Sequence, residues 1–165
     1  MKKLKKGQKG FSLVELVIVV ALAGLVGVAI TATAFQVFTF TTRISNQMTA
    51  IRQVQQAGFW VSPDVMMADP GKITYNASSE KFLVLGWTAY DDTEYEVDYI
   101  LQNGVLLRQH YTKPASVPDY TTVVAEYITS ASLASSGSEY TFTVNATVGG
   151  QTEGRTYKVE PRVGS

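Results

Sequence analysis

An apolar run near the N-terminus limits what this chain can fold into more than any other feature. Residues 13–30 are 18 consecutive apolar positions interrupted only by Glu15, and five lysines precede them. A run of this length is at the lower limit of what a helix needs to cross a hydrocarbon core roughly 30 Å thick. We therefore expect a spanning helix over residues 11–42, which includes Leu13, Leu16, Val20, Gly24 and Ile30.

The lysines predict the orientation of this span. Lys and Arg accumulate in cytoplasmic loops, so we expect the N-terminus in the cytoplasm and residues beyond about 43 outside it. Glu15 is the exception within the span, because a charge costs roughly 2.5 to 3.5 kcal/mol at the centre of a spanning helix and less near its end. Ionisable groups inside membranes are usually functional, so we expect Glu15 to meet a positive group on another copy of this segment.

Residues 9–16 read Lys-Gly-Phe-Ser-Leu-Val-Glu-Leu, and this stretch resembles the processing and methylation signature of type IV pilins and pseudopilins. In that family a membrane-embedded prepilin peptidase cuts after the glycine of a basic leader and N-methylates the new terminus. The resemblance implies a leader over residues 1–10, cleavage between Gly10 and Phe11, methylation of Phe11, and a role for Glu15 in assembly. It also implies other pilins or pseudopilins as partners, and indirect dependence on a membrane platform protein and an assembly ATPase.

The spacing of Phe11 and Glu15 suits a contact between subunits. An α-helix has 3.6 residues per turn, so the two residues lie one turn apart on the same face. A free amine at Phe11 is a cation at neutral pH, and opposite charges attract far more strongly in a low-dielectric surround than in water. In a bundle of staggered helices, burial of the carboxylate would then select one register.

Two simpler interpretations of the N-terminus stay open. One is an ordinary secretory signal peptide, cleaved near Ala34 in an Ala32-Thr33-Ala34 pattern, which would release a secreted domain. The other is a plain single-pass anchor that tolerates Glu15 at the membrane interface. The apolar run exceeds the usual length of roughly 7 to 15 residues in a signal peptide, and a carboxylate does not help export, so the filament subunit is favoured.

Composition constrains the rest of the chain. Removal of the leader leaves nine basic side chains against 14 acidic ones. This balance argues against nucleic-acid binding, which depends on Lys and Arg at phosphates. The chain has no cysteine, so packing alone must hold the outer domain. Many pilins close a C-terminal loop with a disulfide, so the resemblance favours a minor pilin or pseudopilin over a major pilin.

The remaining pattern predicts an α+β fold of pilin-like type, in which the long helix packs on an antiparallel sheet. Apolar residues at helical spacing predict an amphipathic continuation over residues 43–68, with a kink or restart near Ser62-Pro63; they are Ile44, Met48, Ile51, Val54 and Gly58. A β-rich domain over residues 69–165 follows, with its clearest hairpin at Asn103-Gly104. We expect strands over residues 73–77, 82–90, 95–102, 105–112, 123–128, 140–148 and 155–163.

No set of residues in the outer domain predicts catalysis. Glu94, Glu96 and Asp98, preceded by two more acids, share one strand face; they would either bind a hard cation or protect a solvated sheet edge, and the second is favoured. His110 is the only histidine and is expected on a strand surface, with neither a zinc site nor an acid-base dyad. We expect assembly without enzyme activity, cofactor or metal. The alternative function is a secreted or membrane-tethered β-domain that binds a ligand or a surface.

Overall fold

The computed structural model describes residues 12–76 and 79–162. A long helix, α1, spans Leu13–Met67, and a short 3-10 helix follows at Pro70–Lys72. The strands are β1 Ile73–Tyr75, β2 Lys81–Thr88, β3 Glu94–Gln102, β4 Val105–Thr112, β5 Tyr120–Ala125, β6 Ile128–Ser136, β7 Glu139–Val148 and β8 Gln151–Val159. The chain divides after Thr42 into an N-terminal helical unit and a C-terminal α+β unit.

The strands form two antiparallel sheets, each in sequential order. The first sheet contains β1 to β5 and the second contains β6 to β8. The expected α+β class is confirmed, but the chain forms two sheets where one antiparallel sheet was expected. The chain leaves the first sheet at Ala125 and turns at Tyr127, whose φ of 59° is positive. The Ile128 N–H then bonds to the Gly104 carbonyl at 2.9 Å, which starts the second sheet beside the β3–β4 hairpin.

One core lies between the C-terminal part of α1 and both sheets. The helix contributes small and β-branched side chains spaced by three or four residues, which are Ala50, Val54, Ala57, Val61 and Val65. The first sheet contributes Leu83, Leu85 and Val97, and the second contributes Phe142 and Val144. Full burial of each Val, Leu or Phe side chain stabilises the fold by about 1.5 to 3 kcal/mol. The helix and the two sheets are therefore held by a shared apolar interior.

The amphipathic stripe was predicted correctly at its C-terminal end and wrongly at its start. Val54 and Gly58 are buried, whereas Ile44 and Met48 are exposed. Ala50 takes the buried position that precedes Val54. The prediction counted Ile44 and Met48 but omitted Ala50 and Ala57, whereas the contact with the sheets uses small side chains that let the backbones approach.

Gly58 shows how close this approach is. A Cβ atom at this position would overlap the ring of Tyr157 on β8. The Tyr157 hydroxyl donates a hydrogen bond of 3.0 Å to the carbonyl of Val54, four residues before Gly58. The missing side chain therefore makes room for a ring that ties the second sheet to the helix backbone.

α1 passes through Pro63 and ends at Met67, without the restart that was expected at Ser62. Proline removes one backbone hydrogen bond and crowds the preceding turn, which normally interrupts a helix. Here Val61 and Val65 on either side are fully buried in the core. Tertiary packing therefore keeps the last turn helical.

The hairpin turns follow local chemistry. Gln102 pairs with Val105, and the two residues between them, Asn103 and Gly104, both have positive φ, as a type I′ turn requires. A second two-residue turn, at residues 149–150, replaces the longer loop expected before β8, because both glycines adopt positive φ. The β3–β4 hairpin was thus predicted correctly, whereas β8 begins earlier than expected.

Candidate assembly site

The first part of α1 carries the residues that the sequence marked for membrane insertion. All residues in 12–42 are exposed, including Leu13, Leu16, Val20, Gly24 and Ile30. Among the described residues, α1 is the one helix long and apolar enough to cross a membrane, and no residue of its most apolar 18-residue window is buried. Gly10 and Phe11 lie outside the described residues.

Glu15 lies in the first turn of α1. The turn begins where the Leu16 N–H donates to the Ser12 carbonyl at 3.1 Å. A carboxylate in this position interacts favourably with the unpaired N–H groups at a helix N-terminus. Glu15 is exposed and forms no ion pair or hydrogen bond with another described residue. Its side chain is therefore accessible to a group from another molecule.

Threonine hydroxyl groups near the C-terminal end of the apolar segment form hydrogen bonds within the helix. Five threonine side chains donate to carbonyls four residues earlier, at 2.8 to 3.0 Å; they are Thr31, Thr33, Thr39, Thr41 and Thr42. A hydroxyl bonded in this way exposes less unsatisfied polarity, which lowers the cost of an apolar surround. Threonine in a helix commonly bonds in this way.

Small residues form a shallow apolar groove along one side of the same segment. It has a volume of about 570 Å³ and is lined by Gly24, Gly27, Val28, Thr31, Ala32 and Phe35. A Cβ atom at either glycine would meet nothing within 4 Å. Small residues allow helices to approach closely in lipid, so the groove leaves space for a second helix.

The acidic face of β3 is neutralised by lysines. Each of its three carboxylates forms an ion pair, namely Glu94 with Lys72 at 2.7 Å, Glu96 with Lys113 at 2.8 Å and Asp98 with Lys81 at 2.6 Å. The hydrogen bond to Asp98 raises the pKa of Lys81, which favours its charged form. No group of three or more potential ligands that could hold a metal ion occurs among the described residues.

The edge-protecting interpretation of these acids was wrong. β3 pairs with β2 on one side and β4 on the other, so it is an interior strand. Asp98 is only 1 % exposed, and Nζ of Lys81 donates a hydrogen bond to Oδ2 of its carboxylate. The three acids of β3 therefore lie on one sheet face, where each forms an ion pair with a lysine.

His110 is less exposed than expected for a strand-surface residue. Its ring stacks on Tyr120, with centroids 4.8 Å apart, and its Nδ1 lies 3.1 Å from Oδ2 of Asp119. The hydroxyl of Thr112 also donates to Asp119, and these hydrogen bonds lower the pKa of that carboxyl group. The histidine thus helps to hold the loop between β4 and β5.

The pattern of the prokaryotic N-terminal methylation motif matches residues 5–31. The chain carries the type IV prepilin signature. The matched range includes Gly10, Phe11 and Glu15 and ends within the exposed apolar segment of α1. No curated protein and no solved structure is significantly similar to the chain.

The prepilin signature confirms the resemblance that residues 9–16 suggested. Together with the exposed apolar segment, it fits a membrane-anchored pilin-like protein with a globular domain. The match ends before the outer domain begins, so the architecture of residues 43–162 is described by the structure alone. Pilins and pseudopilins share the signature, so the match does not distinguish between them.

Proposed function

We propose that this chain is a structural subunit of a type IV pilus or of a type II secretion-like filament. The observation that carries the proposal is the prepilin signature at residues 5–31, which lies on an exposed apolar helix. The proteins that share this motif are structural, which supports assembly as the function. A folded α+β domain follows the apolar segment, as a filament subunit with an outer domain requires.

In this proposal the prepilin peptidase cleaves between Gly10 and Phe11 and methylates the Phe11 amine. The processed chain waits in the cytoplasmic membrane, with its N-terminus in the cytoplasm and its globular domain outside. Other pilins or pseudopilins then join it in a filament, with indirect help from a platform protein and an assembly ATPase. Membrane lipid surrounds the apolar segment before assembly.

Glu15 supplies the contact that selects the register. The Phe11 ammonium of one copy would pair with the Glu15 carboxylate of the next, and their attraction is strong where water is excluded. Two observations support this role: Glu15 is exposed on the described helix, and it has no partner among the described residues. The nearby groove at Gly24 and Gly27 would allow a neighbouring helix to approach.

The sequence favours a minor pilin or pseudopilin within this class. The chain has no cysteine for the C-terminal disulfide that many pilins contain. It also has no proline between Phe11 and Ser62, whereas major pilins often carry one in the first helix. A minor pilin or pseudopilin is therefore favoured over a major pilin.

Mass spectrometry of the protein from its native envelope tests the proposal. We expect a mature chain that begins at N-methylated Phe11. A chain that keeps its leader would contradict it, and a terminus at Phe35 would support the secreted β-domain instead. Gly10→Val should block cleavage, while Gly7→Val, which alters the other glycine of the leader, should not.

A further inference from the structure

Each of the two sheets ends in two edge strands, which are β1 and β5 in the first sheet and β6 and β8 in the second. β1 has only three residues, and β6 begins against the first sheet, where the Ile128 N–H bonds to the Gly104 carbonyl. The other two, here called the β5 edge and the β8 edge, are Tyr120–Ala125 and Gln151–Val159. A free edge presents backbone N–H and C=O groups with which another strand can pair.

The β5 edge lacks the residues that usually prevent strand addition. Its six residues include no charged side chain and no proline, and Tyr120 and Val123 are 50 % and 54 % exposed. The one shift in its pairing with β4 lies near Ala125, so residues 120–123 form a regular strand. Natural proteins protect free edges with charges, proline or a covering element. An uncharged and exposed edge therefore favours the addition of a further strand.

The β5 edge runs antiparallel to α1. The guanidinium of Arg108 lies 5.5 Å from the ring centroid of Trp60 and 6.0 Å from that of Tyr120, so β5 begins near Trp60. Just after the end of β5, Oε1 of Gln53 accepts the Glu126 N–H at 2.7 Å. The neighbouring position on α1 therefore falls from residue 60 to residue 53 along β5.

The β8 edge runs parallel to α1 on the other flank of the helix. Nε2 of Gln47 donates to Oε1 of Glu153 at 2.8 Å, and the Tyr157 hydroxyl donates to the Val54 carbonyl at 3.0 Å. The neighbouring position on α1 therefore rises along β8. A helix turns by about 100° per residue, so Gln47 and Gln53 project about 120° apart. The two edges thus lie on opposite flanks of α1 and run in opposite directions.

We propose that the β5 edge of one copy adds to the β8 edge of the next copy and joins their outer domains in one sheet. Subunits of a filament share one orientation and make head-to-tail contacts between two different surfaces. Such an arrangement brings one flank of a subunit to the opposite flank of the next. The two edges then meet as an antiparallel pair, with both helices on the same side of the joined sheet. The inference rests on the proposed filament function and identifies where adjoining outer domains meet.

Charge favours this pair of edges. Glu126 follows the β5 edge and Arg155 lies on the β8 edge; both are exposed, and neither forms an ion pair with another described residue. Glu126 neighbours position 53 of α1, and Arg155 lies between two residues that neighbour positions 47 and 54. The two charges are therefore at similar levels on opposite flanks, where they can pair between adjoining copies. Opposite charges also favour this pair over the association of two β8 edges.

Disulfide cross-linking tests this contact because the chain has no cysteine. Cells lacking the unmodified gene would co-express two tagged full-length chains, one with Val123→Cys and the other with Thr152→Cys, Thr156→Cys or Lys158→Cys in turn. These positions lie on the sheet faces away from α1, and the three on β8 sample different registers. The matched control pairs Val123→Cys with Thr74→Cys, at an exposed threonine on the β1 edge. Sheared filaments would be oxidised and separated on a non-reducing gel.

We expect one of the β8 cysteines to give about tenfold more mixed dimer than Thr74→Cys, because opposed side chains on paired strands lie within about 4.5 to 5.5 Å. Filaments that form normally but show no such excess at any β8 position would overturn the inference and leave the filament function intact. Absence of filaments from the unmodified chain would instead remove the proposed function, and the inference with it.

Charge exchange gives an independent measurement that needs no cysteine. Glu126→Arg should reduce filament yield by roughly fivefold, the effect that one exposed ion pair allows, and Arg155→Glu in the same chain should restore it. The matched control is Glu80→Arg, which makes the same change at an exposed residue before β2 that forms no ion pair with another described residue. Equal yields from Glu126→Arg and Glu80→Arg would count against the contact, even if the cysteine variants failed to assemble.

Discussion

Asp64 of α1 and Arg108 of β4 form a two-point ion pair inside the C-terminal α+β unit. Nε of Arg108 donates to Oδ2 of Asp64 at 2.7 Å, and its second terminal nitrogen donates to Oδ1 at 3.1 Å. The Tyr99 hydroxyl also donates to Oδ2, at 2.6 Å. Burial by itself lowers the pKa of Arg108, but the hydrogen bonds to Asp64 and Tyr120 raise it by more than burial lowers it. The net pKa is above its usual value, so the guanidinium stays charged. This pair fixes the last turns of the helix to the first sheet.

Arg108→Ala should lower the free energy of unfolding by about 3 to 5 kcal/mol, because it leaves the buried carboxylate of Asp64 without its cation. Urea unfolding of the full chain in mild detergent, followed by tryptophan fluorescence, measures the change. Lys158→Ala is the matched control, since it breaks an exposed ion pair with Glu139 and should cost less than about 1 kcal/mol. Equal effects of the two substitutions would contradict the assigned role of Arg108.

Tyr99 makes the folded chain less stable at alkaline pH. Burial, reinforced by the charge of Asp64, raises the pKa of Tyr99 well above its usual value of 10.0. Above pH 10.0, the usual pKa of tyrosine, the unfolded chain loses the phenolic proton while the folded chain keeps it. Stability therefore falls as the pH rises. We expect a lower urea midpoint at pH 11 than at pH 9.

Tyr99→Phe should reduce this alkaline loss, while it costs about 1.5 to 3 kcal/mol at neutral pH through the lost hydrogen bond to a charged group. Surface lysines with a raised pKa, including Lys81, also lose their contribution to stability as the pH rises. The informative quantity is therefore the difference in pH slope between Tyr99→Phe and the unmodified chain. Tyr90→Phe, at an exposed position, is the control. An unchanged pH slope in Tyr99→Phe would count against this account.

The ion pair also shows why part of the fold could not be predicted from the sequence. Asp64 and Arg108 are 44 residues apart, and neither residue type indicates burial by itself. A weak signal was present, because Arg108 is two residues from Leu106 on β4 and shares its inward face. By contrast, the β3–β4 hairpin was predictable, since Asn103-Gly104 specifies the turn through backbone conformation alone.

Strand β6, which the sequence pattern did not predict, contains mostly serine, threonine and alanine. These residues give little β signal, because strand propensity largely reflects packing against neighbouring strands. Leu133 and Ile128 supply its buried side chains. Gly137, between β6 and β7, was the local sequence signal of a turn, and its φ is positive in the structure. At the N-terminus, the resemblance of residues 9–16 to the pilin signature was visible in the sequence, but the position of a partner for Glu15 depends on another molecule.

Gly58→Ala should destabilise the outer domain despite the higher helix propensity of alanine. The new Cβ would overlap the Tyr157 ring, and such overpacking costs about 1 to 3 kcal/mol, partly offset by up to about 1 kcal/mol of propensity. The ring must move and weaken its hydrogen bond to Val54. Thermal unfolding should show a lower Tm, whereas Gly71→Ala, with open space around it, should leave the Tm almost unchanged. A higher Tm for Gly58→Ala would mean that Tyr157 moves freely.

Glu15→Ala should leave removal of the leader intact and reduce incorporation into filaments. The cleavage site precedes Glu15, whereas the contact with a neighbouring terminal amine requires its charge. A loss of about tenfold in filament content, relative to the amount in the membrane, corresponds to roughly 1.4 kcal/mol per contact. Immunoblots of sheared filaments and of membranes measure the two pools, and mass spectrometry checks the terminus.

Leu16→Ala is the control for this substitution, because it shortens an exposed neighbour of Glu15 without a change of charge. Glu15→Asp separates charge from geometry, since it keeps the carboxylate but withdraws it by one methylene group. If charge pairing sets the register, Glu15→Asp should retain part of the incorporation that Glu15→Ala loses. Unchanged filament content in Glu15→Ala would remove this carboxylate from the assembly mechanism, even if the chain were processed at Gly10.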